Sequence, residues 1–497
     1  MKKYVFLSVF LLTAGGCLTY KTSFSDYTVY VDPLNGVVPD GPFYRGACYP
    51  AGLVHPGPEA ANENSSSCAG NESLEKNICG FSQIRLNNTG CSGSGAIFLQ
   101  PFSGSVLHDD YCSGYSEYTQ KAEPGYYAVT LDDFDVNVEI TASEHVAFHR
   151  YTFNGTGPLR MLVDLQHGIA DGTGGYGKHT PGFDVTVEDK YTITGHNEAQ
   201  QWLRRHYYYV IRFDRPYSII KELPGRKQNK APRYVLDFNL FEGEQLQVKV
   251  ALSTVSVDSA RVNMNKEVKK WNFDKVCASA RSAWNEYLSR IDAIGSADQQ
   301  EQFYTCMYRL FMYPANIADV DGRYRSSDGR VMQAESGRFF SSLFLRNTSY
   351  RTAYFLYAIL SPEIDLMSGR DSRGFRRTQE IDLRLFDCRY PGKPDGAGSE
   401  NGCAQMPARF IFSAMGFYPL NSYDDGYMTG SPQMEKIVLN LPHGKTFTVE
   451  VKNFSPGNRY VHTVTLNGEI LDGFRISHED IMNGGRLVFR MGAEPLK

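Results

Sequence analysis

The residues of this chain with the clearest chemical potential lie in a glycine-rich loop, residues 394–406, that leads into a predicted helix at 404–415. Hydrolysis by acid–base catalysis needs carboxyl groups that can donate and accept a proton. Glu400 is the candidate catalytic residue of this loop, and a solvated loop carboxylate is the alternative interpretation. Asn401 is a candidate for binding substrate, and its side chain cannot act as a base because it does not take up a proton at neutral pH.

Two more polar residues are candidates for binding substrate. Arg351 lies at the start of a predicted helix at 350–360, and Gln405 lies at the start of the 404–415 helix. All 11 histidines lie outside residues 207–442, so this part of the chain has no imidazole for acid–base work or for binding a metal.

The composition indicates an ordinary folded protein of several domains. The chain has 497 residues, of which 42% are hydrophobic and 21% charged, and its net charge is −4. Such a length corresponds to about two to four domains, and the absence of basic clusters argues against a nucleic-acid partner. The 32 tyrosines and 30 phenylalanines suit antiparallel β-sheets, and also surfaces that bind sugars.

The first 17 residues have the pattern of an export signal. Two lysines precede a short apolar run at 5–14, which is too short to span a membrane. Residues 14–17 resemble a bacterial lipobox, which predicts cleavage before Cys17 and a lipid anchor on that cysteine. Ordinary signal cleavage at the preceding glycines is the alternative. We therefore expect an exported bacterial lipoprotein, in the periplasm or at the cell surface, that contacts a membrane through its anchor.

The cysteines predict disulfides and no metal centre. Five of them fall within 65 residues, namely Cys48, Cys68, Cys79, Cys91 and Cys112. In an exported protein this crowding indicates disulfides across a loop-rich region, although it leaves their connectivity open. No CxxC pair occurs, so a zinc site is not predicted. Residues 319–322 resemble the start of a calcium loop, but the acids that follow do not fit one, and a tight turn is favoured.

Hydrophobic periodicity divides the chain after the signal into three regions. In residues 24–262, short runs of β-branched and aromatic residues alternate with polar ones, which indicates an antiparallel β-sandwich. In residues 263–420, apolar residues recur at helical spacing, for example Ala280, Trp284 and Ile291. Alternation returns in residues 421–497, which predicts a closing β-layer.

A series of short motifs runs through all three regions in one order. They are the 394–406 loop with the following 409–419 segment, and residues 80–82, 88–91, 124–133, 141–153, 319–324, 465–468 and 478–481. Together they resemble the family 92 glycoside hydrolases, which are calcium-dependent exo-acting α-mannosidases. The resemblance implies a β-sandwich packed on an (α/α)6 helical barrel, with the active site between them.

The chain departs from that family where the family does its chemistry. The family has a pair of aspartates where this chain has Asn401 and Gly402. Its general acid and much of its calcium site lie in a helical segment that has no counterpart here before Lys393. A barrel of twelve helices needs roughly 200 residues, and residues 265–419 supply 155. We therefore expect an incomplete (α/α)6-type helical domain, without a complete calcium site, whose apolar faces close into a smaller array or are covered by a partner or a second copy.

Three hypotheses about function follow from this resemblance. The first is a divergent family 92 protein that has lost hydrolysis and binds or helps to use glycans such as mannosides or N-glycans. The second is an active exo-α-mannosidase-type hydrolase in which carboxylates at new positions, Glu400 among them, replace the lost pair. The third is a decayed gene product without a role.

Overall fold

The structure is a computed structural model. It describes residues 25–34, 45–59, 77–84, 97–104, 112–155, 157–165, 182–200, 204–223, 232–326, 328–340, 351–365, 405–419, 426–471 and 475–494.

The N-terminal region is an antiparallel β-sandwich, as the alternating pattern predicts. Its strands are β1 (Gly57–Glu59), β2 (Asn77–Ile78), β3 (Gly80–Ser82), β4 (Phe98–Ser103), β5 (Ser113–Gly114), β6 (Lys121–Glu123), β7 (Tyr126–Leu131), β8 (Val136–Ala142), β9 (Val146–Phe153), β10 (Leu159–Asp164), β11 (Phe183–Val187), β12 (Thr192–Gln200), β13 (Arg204–Phe213), β14 (Ser218–Leu223), β15 (Arg233–Asp237) and β16 (Gln245–Ser253). A six-stranded sheet has the order β1-β3-β4-β10-β15-β14, and an eight-stranded sheet has the order β11-β12-β13-β16-β9-β8-β7-β6.

Side-chain alternation sets which face of each strand is buried. In β7, Tyr127, Val129 and Leu131 are buried, whereas the residues between them are half-buried. Val129 pairs with Val138 of β8 in the antiparallel register, so both valines face the core between the two sheets. The opposite face of the eight-stranded sheet is covered in part by helices.

The helices of the second region begin at polar capping residues. They are α1 (Val257–Glu267), α2 (Phe273–Leu288), α3 (Ala297–Phe311), α4 (Arg351–Leu360), α5 (Pro362–Asp365) and α6 (Gln405–Met415). Ser256 accepts a hydrogen bond from the third residue of α1, and Ser296 forms a capping box with Gln299 at the start of α3. The sequence also predicts a weakly patterned helix at 376–386, which lies outside the described residues.

A third sheet combines the C-terminal strands with one strand from the helical region. The remaining strands are β17 (Ile291–Ile294), β18 (Arg323–Arg325), β19 (Val331–Gln333), β20 (Phe417–Pro419), β21 (Gly426–Thr429), β22 (Lys436–Asn440), β23 (Thr446–Lys452), β24 (Tyr460–Leu466), β25 (Glu469–Ile470), β26 (Arg475–Ser477) and β27 (Gly485–Gly492), with α7 (His478–Met482) between the last two. The sheet has the order β17-β22-β23-β27-β24-β25.

The predicted helical conformation of Ile291 is wrong, because Ile291 is the first residue of β17. Helix α2 ends at Leu288, and Ile291 pairs with Leu439 of β22.

Most of the described helices share one core with the C-terminal sheet, whereas α1 packs on β9, β13 and β16 of the eight-stranded sheet. Apolar residues of α2, α3, α4 and α6 form a single buried cluster with strands β22, β23 and β27. In α4, Leu356 and Tyr357 are fully buried, as are Ile411 and Phe412 in α6. These faces close against the rest of the chain, which favours the smaller array over cover by a partner for these two helices. Within the described residues, we find no helix with the length and apolarity needed to cross a bilayer.

One disulfide lies in the cysteine-rich region. It joins Cys79, between β2 and β3, to Cys112, just before β5, and closes a loop of 33 residues in sequence. Cys48 is buried with a free thiol. Cys68 and Cys91 lie outside the described residues.

Gly125 shows how closely the sandwich packs on the helices. It turns the chain from β6 into β7 with a φ of +82°, in the left-handed region that favours glycine. A Cβ atom added there would lie 2.6 Å from the Cβ of Ala280 in α2. Gly125 is therefore needed both for its backbone conformation and for contact with the helix.

We predict that Gly125→Ala destabilises the protein by about 1–3 kcal/mol more than Gly243→Ala, because only the first adds a steric clash. Gly243 is a matched control, since its φ is also +82° and no atom lies within 4 Å of its added Cβ. Urea denaturation of both variants measures the difference. Equal losses of stability would show that the sandwich and α2 separate easily at this point.

Candidate functional site at the junction of sandwich and helices

The sandwich and the helical region meet along residues 45–59. The backbone N–H of Ala51 donates to the carbonyl of the last residue of α3, at 2.8 Å. Two residues later, the N–H of Leu53 donates to the carbonyl of Glu144 in the turn between β8 and β9, at 2.7 Å. The segment is therefore held by both halves of the protein, and it marks the boundary at which the family resemblance places an active site.

The site residues predicted from sequence are only partly placed. Glu400, Asn401 and Cys17 lie outside the described residues. Arg351 is the first residue of α4, and Gln405 is the first residue of α6. Because α4 and α6 pack against each other, these two candidates begin neighbouring helices. Their binding of substrate stays a prediction.

Gln83 follows the Gly-Phe-Ser motif, and its side chain is engaged at both ends. Its Nε2 donates to the carbonyl of Phe81 at 3.0 Å, and its Oε1 lies 2.7 Å from Nε2 of His149. This oxygen accepts, so His149 carries its proton on Nε2, and its Nδ1 accepts from the hydroxyl of Tyr151 at 3.0 Å. Gln83 is thus committed to the sandwich interior.

The environment of His149 keeps its ring neutral. Burial lowers the pKa of His149 from 6.5 to about 3. The sequence predicts a structural role for His149 and His145 in preference to a metal pair, and the hydrogen bonds of His149 fit that role.

A second polar cluster joins the β8–β9 turn to the end of α1. The carboxylate of Glu267 accepts from the hydroxyl of Ser143 at 2.6 Å and from the backbone N–H of His145 at 2.9 Å. Its other oxygen accepts from Nδ1 of His145 at 2.6 Å. Both Glu267 and His145 are largely withdrawn from solvent. The last residue of α1 is therefore fixed to the sheet by three hydrogen bonds.

The same turn also holds the segment that follows α3. Oε1 of Glu144 accepts from Nδ2 of Asn316 at 2.9 Å and from the guanidinium of Arg338 at 2.7 Å. Asn316 in turn accepts from the backbone N–H of Phe339 at 2.9 Å. We refer to Ser143, Glu144, His145, Glu267 and Arg338 as the junction network.

Opposite charges in the junction network shift the pKa values of its members. Burial alone would lower the pKa of His145, but the charge and hydrogen bond of Glu267 raise it to about 9. Burial would raise the pKa of Glu267, and the charge of His145 with the hydrogen bonds from the turn lower it below its usual value. His145 and Glu267 therefore form a charged pair at neutral pH.

Among the described residues, one cluster of at least three potential metal ligands occurs. It consists of Glu144, His145 and Glu267, whose donor atoms all lie within 4.8 Å of one another. Their lone pairs already have partners: Glu267 accepts from His145, and Glu144 accepts from Arg338. A cation bound here would have to displace the charge of Arg338 and the proton of His145. The donor set therefore fits an ion-pair network better than a metal centre.

The calcium-like residues at 319–322 form a tight turn. The N–H of Gly322 donates to the carbonyl of Asp319 at 2.7 Å. The Asp319 carboxylate accepts from Ser253 and Asn263, both at 2.7 Å, and burial raises the pKa of Asp319. These contacts attach the turn to β16 and α1, which agrees with the turn that the sequence favours.

The polarity of the 141–145 segment was visible in the sequence, but its partners were not. Ser143, Glu144 and His145 form a polar run, and the sequence predicts a strand-like segment from His145 to His149, whereas in the structure His145 lies in the turn before β9. Glu267 and Arg338 are distant in sequence and have no pattern that links them to this turn.

Family models match both the sandwich and the region of helices and C-terminal strands. Residues 30–253 match the glycosyl hydrolase family 92 N-terminal domain, and residues 259–367 and 374–493 match the glycosyl hydrolase family 92 catalytic domain. The chain belongs to glycosyl hydrolase family 92.

Solved structures show the same fold. A family GH92 α-mannosidase, BT3965 from Bacteroides thetaiotaomicron, superposes with a TM-score of 0.76 at 20% identity, covering 95% of each chain. The family GH92 inverting mannosidase BT2199 of the same organism gives a TM-score of 0.76 at 16% identity, covering 96% of this chain and 98% of that one.

A curated relative is a longer protein than this chain. The chain is 25% identical over 353 residues to an uncharacterized secreted glycosidase of Arthroderma benhamiae. This match covers 61% of the chain and 44% of the relative, so the chain spans less than half of that protein.

We predict that Glu267→Gln, which removes the charge but keeps the shape, destabilises the protein by about 3–5 kcal/mol because it leaves His145 and its neighbours without their buried counter-charge. Glu188→Gln is the control, since Glu188 forms a part-exposed ion pair with Arg261 on the same helix. Loss of such a pair costs about 0.2–1 kcal/mol. Chemical denaturation of the three proteins measures both effects.

The cost of Glu267→Gln also depends on pH. Because the pKa of His145 is raised, its contribution is complete below the unfolded value of 6.5 and is lost as pH rises through about 9. Because the pKa of Glu267 is lowered, its contribution is present above the unfolded value of 4.5 and is lost only below that. The stability difference between wild type and Glu267→Gln should therefore be largest between pH 4.5 and 6.5 and shrink towards pH 9. A difference that stays constant from pH 5 to pH 9 would contradict the charged pair.

Proposed function

We propose that this family 92 protein binds glycans of the mannoside or N-glycan type and is catalytically impaired. The observation that carries the proposal is the sequence at the family's catalytic aspartate pair, where the chain has Asn401 and Gly402. Neither residue can act as a base at neutral pH. An inverting glycosidase needs one carboxylate to activate water and one carboxylic acid to protonate the leaving group.

The junction supports the same proposal. The family resemblance implies a histidine where the chain has Gln83, and the side chain of Gln83 is occupied by His149 and by a backbone carbonyl. The helical region between residues 207 and 442 contains no histidine that could replace a lost acid or base. The related α-mannosidase BT3965 has been solved in complex with mannoimidazole, and a retained sugar pocket of that kind is what the proposal requires. Asn401, Gln405 and Arg351 are our candidates for contacting the sugar.

The alternative is an active exo-α-mannosidase-type hydrolase with relocated carboxylates. It is favoured by Glu400, which lies one position before the lost pair, and by the match to the family's catalytic domain. Its weakness is geometric: catalytic groups must be held to about 0.5 Å, and a shift of one residue along a loop moves a carboxylate much further. Calcium is not part of the proposal. The family resemblance places much of the calcium site in a helical segment that has no counterpart in this chain.

We predict that the purified protein binds α-mannosides or mannose-rich N-glycans without hydrolysing them. Calorimetry should show binding that Arg351→Ala and Gln405→Ala weaken, and an assay with aryl α-mannosides, with and without calcium, should show no turnover above the Glu400→Gln variant. Turnover that falls by about 10²–10⁴-fold on Glu400→Gln would instead establish Glu400 as an acid–base catalyst. Absence of both binding and turnover across the panel would favour the decayed gene product.

We further propose that the protein is exported and anchored through Cys17, in keeping with the secreted glycosidase among its relatives. In a bacterial host, the wild-type chain should fractionate with membranes and Cys17→Ala should not. Export of Cys17→Ala as a cleaved periplasmic protein would separate the signal from the anchor. A wild-type protein that is already soluble after export would contradict lipidation.

A further inference from the structure

We propose that His196 and His206 form a binding site for a transition-metal dication of the Cu²⁺, Ni²⁺ or Zn²⁺ class, on the outer face of the eight-stranded sheet. This site is separate from the junction network and from the proposed glycan function. It uses imidazole nitrogens, which suit these ions, whereas calcium is bound by oxygen ligands.

Strand register places the two histidines on one face of neighbouring strands. In the antiparallel pair of β12 and β13, His196 lies opposite Tyr208 and Glu198 lies opposite His206. Tyr207 and Tyr209 point into the sandwich core. Because side chains alternate along a strand, His206 and Tyr208 point outward, together with their partners His196 and Glu198.

The two rings face each other through their nitrogens. Nε2 of His196 lies 2.9 Å from Nδ1 of His206, and the ring planes are within 12° of parallel with centroids 5.1 Å apart. In such a contact one nitrogen donates its hydrogen and the other accepts it with a lone pair. When a metal ion takes the place of that hydrogen, the donating imidazole keeps its one proton on its other ring nitrogen, so each of the two facing nitrogens has a lone pair for the metal.

The spacing of the nitrogens suits a metal ion with two neighbouring ligands. With metal–nitrogen bonds of about 2.0–2.1 Å, two nitrogens 2.9 Å apart subtend about 90° at the metal. That is the angle between adjacent positions of a square-planar or tetragonal Cu²⁺ or Ni²⁺ site. Zn²⁺, which prefers tetrahedral ligands, needs the two rings to move slightly apart. Both rings must turn so that their lone pairs converge, and both are half-buried, so a solvated ion can reach them.

Neighbouring side chains hold this pair in place. The ring of Tyr208 stacks on His196 with centroids 4.3 Å apart and planes 20° from parallel. The Tyr208 hydroxyl accepts from the guanidinium of Arg325 at 3.4 Å, and Arg325 also donates to the backbone carbonyl of Thr254 at 2.9 Å. Glu198, opposite His206 on the same face of the sheet, is buried. These contacts, which involve both strands, restrict the side-chain motion that a flexible surface histidine would have.

The test is a Cu²⁺ titration of the full, untagged chain, followed by equilibrium dialysis with metal analysis. We expect one Cu²⁺ per chain, with weaker binding of Ni²⁺ and Zn²⁺ in the order of their intrinsic affinities. His196→Asn and His206→Asn should each weaken Cu²⁺ binding by at least about 10–100-fold, the cost known for the loss of even an outer-sphere partner. The double variant should bind no stoichiometric Cu²⁺.

A control and a spectroscopic signature separate this site from general affinity for metals. His462→Asn removes a histidine from β24 in the C-terminal sheet and should leave Cu²⁺ binding unchanged. Electron paramagnetic resonance of the loaded protein should show two coupled imidazole nitrogens, reduced to one in either single variant. Circular dichroism checks that the variants are folded. The proposal is overturned if the wild type binds no stoichiometric Cu²⁺, or if the folded double variant still binds one.

Discussion

The buried carboxylate of Glu267 is the interaction on which the junction of this protein depends. It ends α1 and is bound by three donors from two residues of the β8–β9 turn, Ser143 and His145. With the turn fixed in this way, Glu144 faces outward to Asn316 and Arg338, and its carbonyl accepts from Leu53 of the segment at 45–59. Removing one member of such a buried charged network leaves the others without partners, so the network is stable only when complete.

The sequence predicts most of the fold because most of the fold rests on local patterns. Alternation identifies β7 and β16, and the helical spacing of apolar residues identifies α3. The pattern fails where tertiary contacts decide. Helix α1 buries a largely small and polar face, with Ser259, Ala260 and Asn263, so it has little apolar periodicity. Ile291 continues the helical spacing of α2, yet its pairing with β22 far along the chain makes it a strand.

The candidate site was less predictable than the fold. The loop that the sequence singles out can be recognised by its motif, but the residues that hold the two halves together are distant in sequence and typical of no motif. From sequence alone, an acid such as Glu267 at the end of an ordinary helix is expected to be exposed to solvent. Its burial becomes evident only when the position of the β8–β9 turn is known. The His196–His206 pair depends likewise on a strand register that the individual strands do not reveal.

The junction network and the 394–406 loop consist of different residues, which on the proposed function bears on how a family 92 fold could lose its catalytic acids and persist. Two carboxylates close together in a catalytic site repel each other, and that repulsion reduces the stability of the fold that holds them. On the proposed function, Asn401 and Gly402 replace such a pair, and this exchange removes the repulsion without any substitution of Glu267, His145 or their partners. On the proposed function, selection then acts on the sugar-binding residues and on the junction that positions them. Hydrolysis can disappear from such a chain without loss of folding, because different residues support the chemistry and the architecture.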